Sequence, residues 1–158
     1  MRTLRSTPLV VLALFLLLGA ACDAGEDEFS LTGDGVSIDD LTGSWRATRA
    51  LFGVAAEGPV RGVDVVAEGG AVSLEIRDDG RFTLTITRPG GAPDRSTGRL
   101  GFDEDLLVVS FDDDPDEFEF FALQVTPTTL SIQGPATFDF DGDGTEEAAD
   151  AVLDFVRS

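Results

Sequence analysis

Short runs of apolar residues at every second position, separated by turn residues, recur along this chain and restrict it to a β fold. Residues 72–76 and 82–86 both show this alternation, and Asp78-Asp79-Gly80 lies between them. Side chains of a strand point alternately to its two faces, so the alternation predicts two strands with one buried face each. The Asp-Asp-Gly segment supplies the positive φ angles of a tight turn. A β-hairpin is therefore predicted here.

The same pattern continues on both sides of this hairpin. Further strands are predicted at residues 44–54, 96–102, 106–111, 118–125, 129–133 and 137–140. Residues 60–67 form either another short strand or part of a long loop, and the acidic run at 112–117 is predicted to be a charged loop. Residues 146–157 fit both a helix and a strand, and we favour a strand because it would cover an open sheet edge. Eight to ten antiparallel strands predict an all-β domain, either an up-and-down barrel or a β-sandwich.

The N-terminal segment carries the pattern of an export signal. Two arginines within the first five residues are followed by an apolar run at residues 9–18 and by small residues at 19–21, directly before Cys22. The apolar run is too short to span a membrane comfortably. We therefore predict a signal peptide over residues 1–21 that is removed on export.

The sequence LLGAAC, which ends at Cys22, resembles the lipobox of bacterial lipoproteins. In that family the cysteine after the cleavage site carries a diacylglyceryl group. The resemblance implies a lipid anchor on Cys22 that holds the protein on a membrane of the cell envelope, on the periplasmic or the cell-surface side. The alternative is secretion without lipid. Residues 22–40 are acidic and lack apolar periodicity, which predicts a disordered tether before a domain at 41–158.

The charge balance excludes one class of partner. After Cys22 the chain has nine arginines, no lysine and thirty acidic residues, which leaves about twenty-one net negative charges. Binding of nucleic acid depends on clustered positive charge that neutralises phosphates, so we exclude DNA and RNA as partners. The mature length of about 135 residues suits a single domain with one core, and we expect a monomer.

Gly43-Ser44-Trp45 forms a Gly-x-Trp at the start of the first predicted strand, and Arg157 lies near the end of the last. This opening resembles that of the lipocalin family and the small bacterial lipocalin-like domains. The resemblance implies an up-and-down barrel whose closed end is plugged by Trp45, with Arg157 over the indole in a cation–π contact worth about 0.5–2 kcal/mol. It also implies an apolar interior able to hold a small hydrophobic ligand. Candidates to line or fill that interior are Phe82, Phe102, Phe111, Phe118, Phe120, Phe138 and Phe155.

The residue types exclude most catalytic chemistry. The chain has no histidine and no lysine, and its single cysteine is the predicted lipid site. A Ser-His-Asp triad, a Cys-His pair, an ordinary zinc site and a lysine Schiff base are therefore all excluded. Carboxylate pairs remain, but among thirty acidic residues some pair always lies close, so this is no evidence of a glycosidase. We predict that the protein is not an enzyme.

One motif has a defined metal chemistry. Asp139, Asp141 and Asp143, followed by Gly144, match the first half of a calcium loop, in which alternating oxygens converge on a hard cation. Asp150 stands where such a loop carries a bidentate glutamate, so the second half fits poorly. The alternative is an acidic hairpin with solvated carboxylates.

These features predict a membrane-anchored, non-enzymatic, lipocalin-like barrel, which either binds a small hydrophobic ligand, as the resemblance implies, or acts as an envelope-associated accessory. The alternative is a calcium-stabilised β module for interaction or adhesion in the cell envelope. No cofactor is expected beyond the calcium ion of that alternative. A continuous apolar cavity would favour the ligand-binding barrel, whereas an interior filled with phenylalanine would count against it.

Overall fold

The computed structural model describes residues 30–54 and 61–158, so the predicted signal peptide and Cys22 lie outside the described residues. One helical turn precedes a series of strands. The elements are α1 (Ile38–Leu41), β1 (Gly43–Val54), β2 (Arg61–Asp64), β3 (Ala71–Ile76), β4 (Arg81–Thr87), β5 (Pro93–Asp103), β6 (Leu106–Phe111), β7 (Asp114–Val125), β8 (Thr129–Phe138) and β9 (Glu147–Arg157). Within these two ranges, no helix has the length and apolar character needed to cross a membrane.

The strands form one closed antiparallel sheet. From β3 to β9 each strand pairs with the next along the chain, and β9 pairs with β1 along residues 45–53. The opposite edge of β1 pairs with β3 at residues 43–46 and with β2 at residues 51–54. The fold is an up-and-down β-barrel. Eight strands close it and β2 is an additional strand, which confirms the predicted barrel and excludes the sandwich.

The hairpin predicted from alternation is β3–β4. Val72, Leu74 and Ile76 are buried while their neighbours in β3 are exposed. Gly80 has a φ of 78° and donates its backbone N–H to the Arg77 carbonyl at 3.0 Å, as the tight turn requires. Local alternation and turn chemistry were sufficient for this element because both act within a few residues.

The C-terminal segment is the strand β9, as favoured. Ala151, Leu153 and Phe155 are buried and alternate with less buried neighbours, which is the strand periodicity rather than the helical one. For residues 60–67 the sequence left a strand and a loop as alternatives. In the described part of this segment, the strand β2 ends at Asp64 and a turn follows from residue 65. The segment therefore contains both.

One continuous strand, β8, replaces the two strands predicted at 129–133 and 137–140. It runs through Gly134 and Pro135 and pairs with β9 along its whole length. The ladder between β7 and β8 ends at Gln133, so the proline lies where β8 has one ladder partner instead of two. The split prediction was wrong because a proline is tolerated on such an edge.

The acidic run at 112–117 is a loop only in its first part. Asp112 and Asp113 form the turn, and β7 already begins at Asp114. The Thr97 hydroxyl donates to the Asp112 carboxylate at 2.6 Å, and Arg81 pairs with the same carboxylate at 2.8 Å. The hydrogen bond from Thr97, together with the charge of Arg81, holds the pKa of Asp112 below its ordinary value against desolvation. These contacts hold the turn on the neighbouring hairpin.

Residues 30–40, which the sequence assigns to the tether, are packed against the barrel. The Phe102 N–H donates to the Ser30 carbonyl at 2.8 Å. The helical turn α1 buries Ile38 and Leu41, which are 3% and 0% exposed. The ordered domain therefore begins before Leu41. Scattered apolar residues in an acidic segment gave no sign of this, because the strands that bury them are distant in sequence.

The barrel interior is occupied by one connected cluster of side chains. Its largest fully buried members are Trp45, Phe155, Leu41, Leu107 and Leu130. Phe52 stacks on Phe138 with ring centres 4.5 Å apart, and Phe82 meets Phe111 edge-on at 5.7 Å. These pairs fill interior space and have the geometry of favourable aromatic contacts.

The prediction was wrong for two of the seven phenylalanines proposed for the interior. Phe118 and Phe120 are 41% and 44% exposed, whereas Phe121 is buried. Because β7 alternates, its inward face carries Phe121 and the outward face carries the two even-numbered rings. The run Phe-Glu-Phe-Phe has apolar residues on both faces, so the pattern alone did not define which face is inside. The other five rings belong to the core or pack against it.

Candidate functional site at the two ends of the barrel

Trp45 lies at the end of the barrel where β1 begins, which we call the closed end. Its side chain is 1% exposed, and its indole N–H donates to the Leu41 carbonyl at 2.7 Å. The chain passes from α1 to β1 at this point, and the hydrogen bond from the indole to Leu41 joins Trp45 to the helical turn. The Arg157 guanidinium lies over the indole, with its central carbon 4.1 Å from the ring centre.

Arg157 also connects three segments of the closed end by hydrogen bonds. Its guanidinium donates to the carbonyls of Pro127 at 2.9 Å, Thr42 at 2.7 Å and Asp40 at 3.0 Å. Gly43 has a φ of 132°, and a Cβ at this position would lie 2.6 Å from an Arg157 nitrogen. The arrangement therefore requires glycine before the tryptophan strand. Trp45 and Arg157 therefore join the segments of the closed end through hydrogen bonds to backbone carbonyls.

The opposite end, where β4 meets β5 and β8 meets β9, is the mouth of the barrel. A pocket of about 100 Å³ opens there. It is lined by Val63, Val65, Glu68, Arg88, Pro89, Phe138, Asp139 and Phe140. These residues come from β2 and the turn after it, from the β4–β5 turn, and from the end of β8 with the loop that follows it. Closure of the barrel brings them together.

Aromatic rings and an arginine define the inner wall of this mouth pocket. The central carbon of the Arg88 guanidinium lies 4.3 Å from the centre of the Phe138 ring. Phe140 meets Phe138 with ring centres 5.0 Å apart and planes at 62°. The two rings thus form a corner, and the arginine covers the face of one of them. Such contacts with a guanidinium are attractive because the ring face is electron-rich.

The acidic loop after β8 borders the same pocket. Carboxylate oxygens of Asp139, Asp141 and Asp143 lie within 4.8 Å of one another. Asp139 accepts the backbone N–H groups of Gly142 at 2.7 Å and Gly144 at 3.1 Å. Desolvation raises the pKa of Asp139, but these hydrogen bonds and the charge of Arg88 outweigh it and hold the pKa below its ordinary value. One oxygen from each of the three carboxylates could therefore contact the same cation.

The second half of the predicted calcium loop has a different geometry. Asp150 lies within β9, opposite Pro135 and Gly53, and is not a member of the converging group. Glu146 instead accepts a hydrogen bond from the Thr137 hydroxyl, and Glu147 accepts the Phe140 N–H at 3.1 Å. The loop is thus tied across the β8–β9 hairpin by its glutamates. Three aspartates remain as the candidate ligand set.

The mouth pocket itself was not predicted from the sequence. Arg88 stands in the turn Arg88-Pro89-Gly90-Gly91, which reads as an ordinary connection between two strands. Val63 and Val65 belong to residues 60–67, for which a strand and a loop were both open. The acidic motif at Asp139 was the only local signal near the pocket, because the remaining lining residues come from segments that are 20 or more residues apart along the chain.

No protein-family model and no curated protein matches the sequence. Among solved structures, the chain is similar to a lipocalin-like protein from Bacteroides uniformis, with 14% identity and a TM-score of 0.45, over 75% of this chain and 99% of that one. It is also similar to an uncharacterized protein from Bacteroides eggerthii, with 10% identity and a TM-score of 0.44, over 74% of this chain and 98% of that one. The assignment of the barrel rests on the strand pairing described above.

Proposed function

We propose that this protein is an exported lipoprotein whose barrel is a non-enzymatic binding module, held on the cell envelope by lipid on Cys22 and presenting its mouth away from the membrane. The orientation of the barrel relative to the membrane is inferred from the point at which the chain enters the barrel. The chain enters the barrel across its closed end, where Ser30 is bonded to Phe102 and α1 leads into Trp45. An anchor preceding residue 30 therefore attaches on the side opposite the mouth.

The short length of chain between Cys22 and Ser30 supports the same orientation. Eight residue steps separate Cys22 from Ser30, and a fully extended chain of that length spans at most about 29 Å. The closed end would stay within that distance of the membrane surface. The mouth pocket and the Asp139 loop lie at the far end of the strands, where a solute or a partner has access to them.

Substitution of Cys22 by serine tests the anchor. We expect C22S to move from the membrane fraction to the soluble fraction and to lose incorporation of labelled fatty acid, because a serine cannot form the thioether. Ser30→Ala is the matched control, since it lies outside the cleavage region and should leave both readouts unchanged. Membrane retention of C22S would show that the anchor is wrong.

The ligand-binding part of the proposal is restricted to the mouth. The interior is occupied by the core cluster, including the stacked Phe52 and Phe138 rings. The mouth pocket, at about 100 Å³, is smaller than the roughly 300–1,000 Å³ of sites for drug-sized ligands. We therefore propose a ligand, or one group of a ligand, of only a few heavy atoms.

A calcium-stabilised interaction module is the second candidate function. It is favoured by the convergence of Asp139, Asp141 and Asp143 at the mouth. Carboxylate oxygens on a glycine-containing loop are the ligands that calcium prefers. A bound ion would neutralise part of the loop charge and would fix the connection between β8 and β9 as a surface for a partner.

Calcium should raise the melting temperature if this second candidate is correct. Extracellular modules bind calcium with dissociation constants of about 0.1–1 mM, so 10 mM calcium would stabilise the fold by about 1.4–2.7 kcal/mol, or several degrees. The comparison is thermal unfolding in calcium and in chelator. Asp141→Ala should abolish the difference, whereas Asp113→Ala, in the other acidic turn, should preserve it. An equal melting temperature in calcium and in chelator would remove this candidate.

A further inference from the structure

Arg88 forms part of the wall of the mouth pocket. Its guanidinium covers the Phe138 ring at 4.3 Å, yet within residues 30–54 and 61–158 it makes no hydrogen bond or ion pair. We propose that the mouth pocket is a binding site for a small organic cation, and that Arg88 occupies this site in the free protein. The proposal deepens the proposed function, on which it rests, by naming the chemical class of the ligand.

The charge around the pocket selects a cation. Glu68 and Asp139 line it, and Asp141 and Asp143 lie beside Asp139. Arg88 is the single basic residue of the lining. Once the arginine withdraws, only acidic charge remains at the pocket, and the whole chain has a net charge of −19. Such a field concentrates cations and repels anionic ligands.

The aromatic corner selects an organic cation over a bare metal ion. Phe138 and Phe140 present ring surfaces at 62° to each other, and Val63, Val65 and Pro89 complete the apolar wall. A guanidinium or a quaternary ammonium group gains from ring faces and loses little hydration there. A strongly hydrated ion requires oxygen ligands, which the loop beyond Asp139 offers instead.

Arg88 can be displaced at small cost. It belongs to the turn Arg88-Pro89-Gly90-Gly91, in which Gly90 has a φ of 71° and nothing lies within 4 Å of the position its Cβ would take. A cationic ligand would replace both the contact of Arg88 with the Phe138 ring and the attraction between its charge and Asp139, so neither interaction is lost without compensation. A ligand in solution competes with this tethered guanidinium, so the apparent affinity of the wild-type protein is reduced by the fraction of time that Arg88 covers the ring.

Removal of the internal competitor tests the proposal. We expect Arg88→Ala to bind methylguanidinium with a dissociation constant about tenfold or more below that of the wild type, with amide shift changes at Phe138 and Phe140 in a ¹⁵N NMR titration. The same probe should raise the melting temperature of R88A. Arg95→Ala is the matched control, because Arg95 is an exposed arginine on the same hairpin that does not line the pocket.

A neutral probe of similar size separates the outcomes. Tert-butanol should bind R88A much more weakly than tetramethylammonium does, because it lacks the charge that Glu68 and Asp139 attract. Equal binding of both would overturn the cationic class while leaving an apolar ligand at the mouth intact. Binding of methylguanidinium to R88A no tighter than to R95A would overturn the inference altogether. The anchor, which is tested by C22S, is unaffected by either result.

Discussion

Replacing Trp45 with alanine should lower the free energy of unfolding by about 3–5 kcal/mol, the range for removal of a large buried aromatic side chain. The indole is 1% exposed, and its N–H is bonded to Leu41. Its loss would leave a cavity at the closed end and an unpaired carbonyl. It would also remove the ring beneath Arg157. Since domains of this size are stable by about 5–15 kcal/mol, this variant should be the closest to unfolding.

Chemical denaturation at equilibrium measures this effect. Arg46→Ala is the matched control, because Arg46 follows Trp45 in β1, is exposed and points to the outer face. We expect a change within about 0.5 kcal/mol for R46A. A loss for Trp45→Ala no larger than for R46A would mean that Trp45 does not support the closed end.

Replacing Gly98 with alanine should cost about 3 kcal/mol, the upper end of the usual range for overpacking. A Cβ at this position would lie 2.1 Å from the Ser110 carbonyl oxygen and 2.8 Å from the Phe82 ring. Gly98 pairs with both β4 and β6, so backbone on either side resists displacement. The methyl group would have to separate the β5 and β6 strands or push Phe82 out of the core.

The same hairpin offers a glycine at which alanine should be harmless. At Gly91 the nearest atom to an added Cβ is the Arg88 carbonyl oxygen at 3.4 Å, and the backbone has no positive φ. Gly91→Ala should therefore change the unfolding free energy by less than about 0.5 kcal/mol, or raise it slightly by restricting the unfolded chain. Equal melting temperatures for Gly98→Ala and Gly91→Ala would contradict the steric argument.

The two ends of the barrel differ in what their residues contact. At the closed end, Trp45 and Arg157 are bonded to backbone carbonyls and hold segments of the chain together. At the mouth, the Arg88 guanidinium touches a ring without a hydrogen bond among the described residues, and the aspartates of the loop bond to their own backbone. Substitutions at the closed end should therefore change stability, and those at the mouth should change binding.

The sequence by itself determined the strands whose signals are local. Alternation over 72–76 and 82–86 defined the β3–β4 hairpin, and the same period in the last segment favoured β9 over a helix. Both predictions needed only the two-residue period of a strand and the backbone freedom of a turn glycine. The all-β class followed from the number and spacing of such segments, and the resemblance of the Gly43-Ser44-Trp45 opening favoured a barrel, although a sandwich remained open until the β1–β9 pairing was known.

The features that depend on closure of the barrel could be known only from the tertiary structure. It showed that residues 30–40 cover the closed end, that β8 continues through Pro135, and that Phe118 and Phe120 face outward. It also brought Arg88 onto Phe138, beside the loop of Asp139. The two-residue period of a strand determines which of its side chains share a face. Which faces meet across the barrel mouth depends on the stagger and tilt of eight strands, and these are properties of the closed sheet.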